Sequence, residues 1–310
     1  MLVVSRWLGG KGNQIRLRNT PQRVKMEFTM GFNKTWFSRS LKISILLVSV
    51  ISSMAFCHRA LANIKTSYWP VWDKSNESNY SSINHRAFDQ FLTTYVVSNH
   101  PSGINRFRYA DVERSDKKKL HNYIKHMAKL DPRDYSRIEQ KAYWLNLYNA
   151  LTIQRILQSY PIKSLAKSSI KRKHLIKVDG IKLSLADIEN RILRPIWQDH
   201  KVIFGLSCAT LGCPNIQSQA YTARNMSKLL RKSAREFINH PRGLEFDRRS
   251  MQASRIFDWY SADFGDNKKL IKLFAHYADD NKALYLLGFK GDINYAYDAR
   301  INAPEVAWPQ

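Results

Sequence analysis

The chain has 310 residues, of which 44% are hydrophobic and 12% aromatic, and it carries a formal net charge of +25. This composition excludes a protein that is disordered throughout, because the apolar content is enough to build a core, and the length allows one large domain or two small ones. The positive charge favours an anionic partner. Residues 1–62 carry +9 of it, however, which leaves +16 for the rest of the chain.

The N-terminal residues 1–62 are predicted to be a basic extension with a secretory signal. An apolar run at residues 43–57 follows Arg39 and Lys42 and precedes the small-x-small triplet Ala60-Leu61-Ala62, which is the order of a signal peptide. The run is shorter than the roughly 20 residues that cross a bilayer. We therefore expect an exported protein, periplasmic or secreted, with an uncleaved membrane anchor at residues 43–57 as the alternative.

The apolar core of this signal begins unusually late. About forty residues precede it, whereas a whole signal normally spans roughly 15–30 residues. A start at Met26 or Met30 would give a signal of ordinary length, so the sequence leaves open a misassigned start. Beyond the signal we expect an arm at residues 63–84, a domain at residues 85–303 and a C-terminal tail at residues 304–310.

Apolar spacing predicts that the domain is rich in helices. In the third helix, residues 143–151 are apolar nearly all round, so this helix should be central and buried, with Ser136 and Glu139 forming a capping box at its start. Asn146 and Asn149 stand three apart in it and need hydrogen-bond partners, either as a site lining or as a structural polar network. The predicted helices span residues 87–95, 117–130, 136–160, 184–193, 221–238, 256–264 and 270–277.

Short extended segments alternate with the later helices. Asp179-Gly180 is a strong two-residue turn signal between the predicted strands 174–178 and 181–183. Residues 202–206 form a short apolar run that we interpret as a buried strand, and a second hairpin is expected at residues 244–253. The sequence therefore predicts an α+β fold in which a small sheet, built from residues 174–208 and 244–254, supports a loop that contains two cysteines.

Cys208 and Cys213 are the two cysteines of that loop. In an exported protein a close pair favours a disulfide; two free thiols and a reversible redox pair are alternatives. A further alternative is a thiol nucleophile for a hydrolase or transferase, which needs a nearby base. No metal site or cofactor is expected, because two sulfurs are too few for zinc without nearby ligands. The candidate bases are His174, His200, His240 and His276.

Several stretches of the chain resemble the domain-of-unknown-function 547 family. Residues 143–150 are similar to its aromatic-Trp-x-Asn-x-Tyr-Asn-Ala signature, and Tyr297-Asp298 is similar to its closing segment. The resemblance covers roughly residues 85–303 and implies a protein whose activity is not established, of the exported bacterial type; plant members are regarded as interaction proteins. The family pattern has a histidine where this chain has Asn190. Further resemblance lies in residues 187–195, 204–214 and 256–264.

We therefore predict that the loop at residues 204–214 binds an unknown ligand or protein, and leave open whether the protein is an enzyme. The basic residues 171–174 and 248–249 predict at most a weak association with anionic envelope surfaces. Nucleic acid is not expected as a partner, because no aromatic residues alternate with these basic runs. The predicted binding residues are Asn146, Tyr148, Asn149, Glu189, Asn190 and Pro214.

Overall fold

The structure is a computed structural model that describes residues 64–162, 164–165, 171, 173–247 and 250–304. The predicted signal, Arg172, the pair Arg248-Arg249 and residues 305–310 lie outside the described residues. None of the helices in the described ranges combines the length and the apolar character that crossing a membrane would require.

Helices make up about half of the described residues, and most of the predicted ones are confirmed. They differ from the predictions mainly at their ends, because α7 begins at Met226 rather than at Tyr221 and the predicted helix at residues 256–264 is broken after Trp259. The helix α11 was not predicted. The helices are α1 Arg86–Tyr95, α2 Arg114–Lys129, α3 Arg137–Ser159, α4 Leu185–Asp187, α5 Arg194–Trp197, α6 Lys201–Gly205, α7 Met226–Asn239, α8 Arg255–Trp259, α9 Ser261–Phe264, α10 Asn267–Tyr277 and α11 Asp280–Leu287.

Within the described residues, seven short strands form three small sheets, so the predicted α+β fold is confirmed. The two predicted hairpins are β3–β4 and β5–β6, and Asp179 and Gly180 have the positive φ angles of 42° and 75° that a tight hairpin turn requires. The unpredicted strand β7 pairs in parallel with β6. The strands are β1 Val96–Val97, β2 Arg106–Phe107, β3 His174–Val178, β4 Ile181–Ser184, β5 Leu244–Asp247, β6 Ser250–Ser254 and β7 Asp292–Ala296.

The helix α3 is central, as its sequence predicted, and its residues 142–151 are buried. Ser136 occupies the N-cap position, but the predicted capping box is absent. Glu139 instead accepts a hydrogen bond from the Ile83 amide at 3.1 Å, and Glu77 accepts one from the Arg137 amide at 2.9 Å. The start of α3 is therefore satisfied by the segment that precedes the first helix.

Two predictions about residues 188–206 are wrong. Residues 202–206 belong to no strand, because Lys201–Gly205 forms α6, whose first turn is supported by Asp199 accepting from the Lys201 amide at 3.0 Å. A five-residue apolar run fits a buried helix as well as a buried strand. The helix that starts at Ser184 also does not stop before Pro195, since a π-helical segment at Ile188–Leu193 leads directly into α5.

Residues 64–84, predicted to be an arm, pack against the helical body. The indole of Trp72 is 1% exposed and meets the Trp144 ring edge-on, with centroids 5.1 Å apart. The Ile64 amide donates to the Trp259 carbonyl at 2.7 Å, and the Ser67 amide donates to the Asn190 carbonyl at 3.0 Å. This segment therefore covers α3 and the π-helical segment.

Candidate functional site

The loop that follows α6 carries the disulfide predicted between Cys208 and Cys213, whose Cα atoms are 6.0 Å apart. Cys213 is buried and Cys208 is half-buried. A disulfide sulfur is not a thiolate, so neither cysteine is a nucleophile in this form. Pro214, predicted as a binding residue, follows the second cysteine and is buried.

The C-terminal segment holds this disulfide loop in place through backbone pairing. The Gly212 amide donates to the Asp298 carbonyl at 2.8 Å, and the Leu211 amide donates to the Arg300 carbonyl at 2.9 Å. A Cβ atom on Gly212 would lie 2.8 Å from the Asp298 backbone, so a glycine is needed for this close approach. The C-terminal segment continues directly from β7, so the sheet of β5, β6 and β7 supports the disulfide loop through this segment.

Asn149 fastens the other end of the loop to α3. Its Nδ2 donates to the Gly205 carbonyl at 3.0 Å, and its Oδ1 accepts from the Ser207 amide at 2.8 Å. Asn146 makes the same two-sided contact with the backbone of Tyr221, at 2.7 and 2.9 Å. Both amides are buried and have their donor and acceptor satisfied, so in this structure they act as backbone clamps.

The hydroxyl group of Tyr297 faces the disulfide. It lies 3.4 Å from Cys208 Sγ and 3.6 Å from Cys213 Sγ, and it is 2.6 Å from the Thr210 hydroxyl. Burial raises the pKa of Tyr297, so the phenol stays neutral at physiological pH. It is therefore a hydrogen-bonding neighbour of the sulfurs and not a base that would activate them.

The four histidines considered as bases make their contacts elsewhere in the fold. The thiol-nucleophile alternative therefore gains no geometric support from an imidazole, and it stays a prediction. Their contacts are His174 Nε2 to Asp187 Oδ2 at 4.0 Å, His200 Nε2 to the Tyr277 hydroxyl at 3.3 Å, His240 Nε2 to the Ser102 carbonyl at 2.8 Å, and the His276 ring to the Tyr277 ring at a centroid distance of 4.7 Å.

Glu189 is the centre of a buried polar cluster on the π-helical segment. Its Oε2 accepts from the Tyr148 hydroxyl at 2.9 Å and from Lys171 Nζ at 2.8 Å, and its Oε1 accepts from the Tyr260 hydroxyl. The Glu189 side chain is 1% exposed, whereas that of Lys171 is 35% exposed. Water can therefore reach the Lys171 side chain but not the Glu189 carboxylate.

Opposing effects set the charge state of this Glu189 cluster. Burial acts to raise the pKa of Glu189, but the Lys171 ammonium and the three hydrogen bonds outweigh it and hold the pKa below its usual range. Burial likewise acts to lower the pKa of Lys171, and the Glu189 carboxylate outweighs it, so that pKa lies well above its usual value. Both groups are charged at neutral pH.

Asn190, predicted as a binding residue, supports an arginine. Its Oδ1 accepts from Arg194 Nη1 at 2.6 Å, and Arg194 Nε also donates to both carboxylate oxygens of Asp263 at 3.1 and 3.0 Å. The Arg194 guanidinium packs over the Tyr260 ring, 4.8 Å from its centroid. Asn190 therefore orients a buried ion pair that touches the Glu189 cluster.

The predicted site residues thus fall into two neighbouring groups. Asn149 and Pro214 lie along or beside the disulfide loop, and Asn146 holds Tyr221 from the same helix. Tyr148, Glu189 and Asn190 lie in or next to the buried ionic cluster. Aromatic residues link the groups, because Trp259, next to Tyr260 in the chain, packs on Tyr297 with ring centroids 4.7 Å apart.

Beside the disulfide loop lies a cavity of about 360 Å³. We call it the loop cavity. Of the residues in its wall, Tyr297 and Asp298 were predicted by the resemblance. Arg242 and Arg300 were not predicted, because arginines are common and no local sequence pattern distinguishes these two. The lining residues are Gly212, Arg242, Gln252, Ala253, Ala296, Tyr297, Asp298, Ala299 and Arg300.

A second, larger cavity of about 690 Å³ lies beside α5 and α9, where Arg194, His200 and Asp263 contribute to its wall. Across the described ranges, no group of three or more histidine, cysteine, aspartate or glutamate residues is arranged to hold a metal ion.

Comparison with known proteins was informative for one part of the chain. No curated protein and no solved structure showed a significant similarity to it. A family model described as "Protein of unknown function, DUF547" matches residues 132–238, about a third of the chain. The match contains α3, the π-helical segment and the disulfide loop, so the resemblance of residues 143–150, 187–195 and 204–214 to the domain-of-unknown-function 547 family is confirmed over residues 132–238.

Proposed function

We propose that this is an exported protein that binds a small ligand in the loop cavity, next to residues 204–214. The observation that carries the proposal is the cavity itself, whose wall is formed jointly by Gly212 of the disulfide loop and by Tyr297 and Asp298 of the C-terminal segment. Its volume of about 360 Å³ falls within the range of about 300–1,000 Å³ that small-molecule sites occupy.

Rigidity of the wall supports a binding role. The loop is closed by the Cys208–Cys213 disulfide, clamped by Asn149 at Gly205 and Ser207, and paired with the C-terminal segment. A preorganised wall spends less conformational entropy when a ligand binds, so more of the contact energy appears as affinity.

The larger cavity fits a binding role less well, because its charged groups already have partners. Arg194 donates to Asp263, to Asn190 and to the Ile64 carbonyl. In the loop cavity, by contrast, Arg242 Nε is buried without a hydrogen-bond partner among the described residues. Polar groups left to be satisfied favour the smaller cavity as the ligand site.

Filling the loop cavity should abolish binding. Ala296 lines the cavity from β7 and is exposed, so Ala296→Phe adds a large side chain there with little cost to the core. We expect fragments that bind the native protein, found by ligand-observed NMR in a collection of neutral, cationic and anionic compounds, to lose at least roughly tenfold in affinity for this variant.

Asn294→Phe provides the matched control, because Asn294 is exposed on the same strand and is not part of the cavity wall. It should leave the affinities within about twofold, well under 1 kcal/mol. The proposal fails if the filled variant binds the fragments as tightly as the native protein, or if no fragment binds the native protein at all.

Export is supported by two features of the chain. The first is the basic, apolar and small-residue order at residues 39–62. The second is the disulfide between Cys208 and Cys213, because structural disulfides persist in oxidising compartments and are rare in the cytosol.

Trapping thiols in intact bacterial cells tests the export and the disulfide together. We expect the mature chain to begin at Asn63 and to take up no iodoacetamide before reduction and two equivalents after it, on Cys208 and Cys213. A variant that lacks residues 43–57 should stay unprocessed in the cytosol and react at both cysteines without reduction. Mass spectrometry of the intact chain measures both outcomes, and an unprocessed native chain that labels in the same way would contradict the proposal.

A further inference from the structure

Two half-buried arginines near the loop cavity each have a buried guanidinium nitrogen without a hydrogen-bond partner among the described residues. Arg242 lines the cavity; its Nη1 donates to the Leu211 carbonyl at 2.9 Å and its Nη2 to Asn215 Oδ1 at 2.6 Å, but its Nε is buried with no partner among the described residues. Arg106, on β2, donates from Nη2 to the Ser102 hydroxyl at 3.2 Å, and within the described part of the chain its buried Nη1 likewise has no partner.

The carboxylates near these two arginines are engaged with other cations. Both carboxylate oxygens of Asp298 accept from Arg300 Nε at 2.9 Å. Glu236 forms an ion pair with Lys232 at 2.9 Å. Neither Arg106 nor Arg242 forms an ion pair with any carboxylate that the structure describes. The corner of the molecule that they share therefore carries an excess of positive charge.

Electrostatic effects agree with this geometry. Burial and, to a smaller extent, the charge of Arg106 together lower the pKa of Arg242 to about 10, although Glu236 acts in the opposite direction. Burial also lowers the pKa of Arg106, and the Arg300 charge adds to that effect. Buried cations that repel one another cost free energy unless an anion compensates them.

We propose that Arg242, with the positive charges of Arg300 and Arg106 beside it, binds an oxyanion, namely the carboxylate or phosphate group of a ligand that enters the loop cavity. This inference rests on the proposed binding function and specifies the ligand class. Guanidinium groups suit such anions because their planar N–H donors match the geometry of carboxylate and phosphate oxygens. Arg242 and Arg300 line the cavity. Arg106 does not line it, but the amide of its neighbour Asn105 donates to the same Asn215 Oδ1 that accepts from Arg242 Nη2, so Arg106 adds a third positive charge nearby.

Titration of the native full chain with methyl phosphate, acetate and acetamide, followed by NMR or calorimetry, tests the inference. We expect at least one of the two anions to bind, and neutral acetamide, which has nearly the shape of acetate, not to bind. Whichever of methyl phosphate and acetate binds more tightly shows whether the site prefers a phosphate or a carboxylate group. Arg106→Gln should weaken the binding of that anion by at least roughly tenfold, because a positive charge in a partly buried place next to the bound anion is lost, and Arg106→Lys should restore part of the affinity because the charge returns.

Arg231→Gln is the matched control, since it removes the same charge from an exposed position on α7. It should leave the affinity within about twofold, apart from weak long-range screening effects. Equal weakening by Arg231→Gln and Arg106→Gln would overturn the inference, because binding would then follow net charge alone. If Arg106→Gln does not unfold cooperatively, Arg106→Lys is measured instead. The inference is also overturned if Arg106→Lys binds the anion as tightly as the native protein does and binds acetamide equally well.

The same variants separate failure of this inference from failure of the proposed function. If neutral fragments bind and only Ala296→Phe weakens them, with no effect of either Arg106 substitution on any anion, the oxyanion inference fails and the ligand cavity stands. If an anion binds and depends on Arg106 but not on the filling of the cavity, the oxyanion site stands and the proposed cavity fails. If no compound binds the native protein, both fail.

Discussion

Glu189→Ala should destabilise the protein by about 3–5 kcal/mol, the largest effect that we expect from a single substitution. The carboxylate is 1% exposed on its side chain and accepts hydrogen bonds from Lys171, Tyr148 and Tyr260. Removing it leaves a partly buried ammonium and two buried hydroxyl groups without their acceptor, and it opens a void at the π-helical segment. Chemical denaturation of the native protein and the variant at neutral pH measures the difference.

The pH dependence of this effect has a definite sign. The pKa of Glu189 is lowered in the folded protein from its ordinary value of 4.5, so its contribution to stability is complete above about pH 4.5 and is lost as the pH falls through the folded pKa. The pKa of Lys171 is raised above 10.5, so its contribution is complete below that pH and is lost as the pH rises through the folded pKa. The gap in unfolding free energy between the native protein and the variant should therefore shrink at acid pH.

Two further variants make the Glu189 prediction specific. Glu189→Gln keeps the shape and an acceptor oxygen, so it should cost less than Glu189→Ala. Glu245→Ala removes an exposed carboxylate from β5 and should change stability by no more than about 0.5 kcal/mol. A Glu189→Ala variant whose stability and pH profile match those of Glu245→Ala would show that the buried pair contributes nothing.

Local patterns in the sequence were sufficient to predict much of the fold. The apolar stripes of α1 and α2 and the all-round apolar surface of α3 depend on residues close in sequence, and these helices are present. The turn at Asp179-Gly180 is likewise local, because it needs only two positive φ angles at neighbouring residues.

The remaining features depend on contacts between residues far apart in the chain. Residues 202–206 could not be assigned by periodicity, since five apolar residues suit a helix or a strand equally. Lys171 and Tyr260 meet Glu189 from segments 18 and 71 residues away. Arg242 likewise reaches the Leu211 carbonyl of the disulfide loop from 31 residues further along the chain. Asn149 was identified because a polar residue inside an all-round apolar helix is conspicuous, but its role as a clamp required the loop to be in place.

Asn149→Ala should be the second most damaging substitution, with a loss of about 2–4 kcal/mol. It removes the donor to the Gly205 carbonyl and the acceptor for the Ser207 amide, and both backbone groups lie in a buried stretch of chain. Asn239→Ala is the matched control: its side chain also bonds backbone groups, at Arg235, Tyr277 and Asp279, but it is half-buried, so water can replace the lost contacts and the cost should stay below about 1 kcal/mol.

The position of Asn149 also predicts a kinetic effect that a general loss of stability would not produce. Because Ser207 directly precedes Cys208, releasing its amide should let the disulfide loop open locally, and reduction of the disulfide by a small thiol should become faster. Each asparagine variant is measured at its own denaturant concentration, chosen so that both have the same global stability. Equal rates of reduction for Asn149→Ala and Asn239→Ala under that condition would mean that Asn149 stabilises the core without controlling the loop, and that the wall of the loop cavity owes its rigidity to the disulfide and to the C-terminal segment alone.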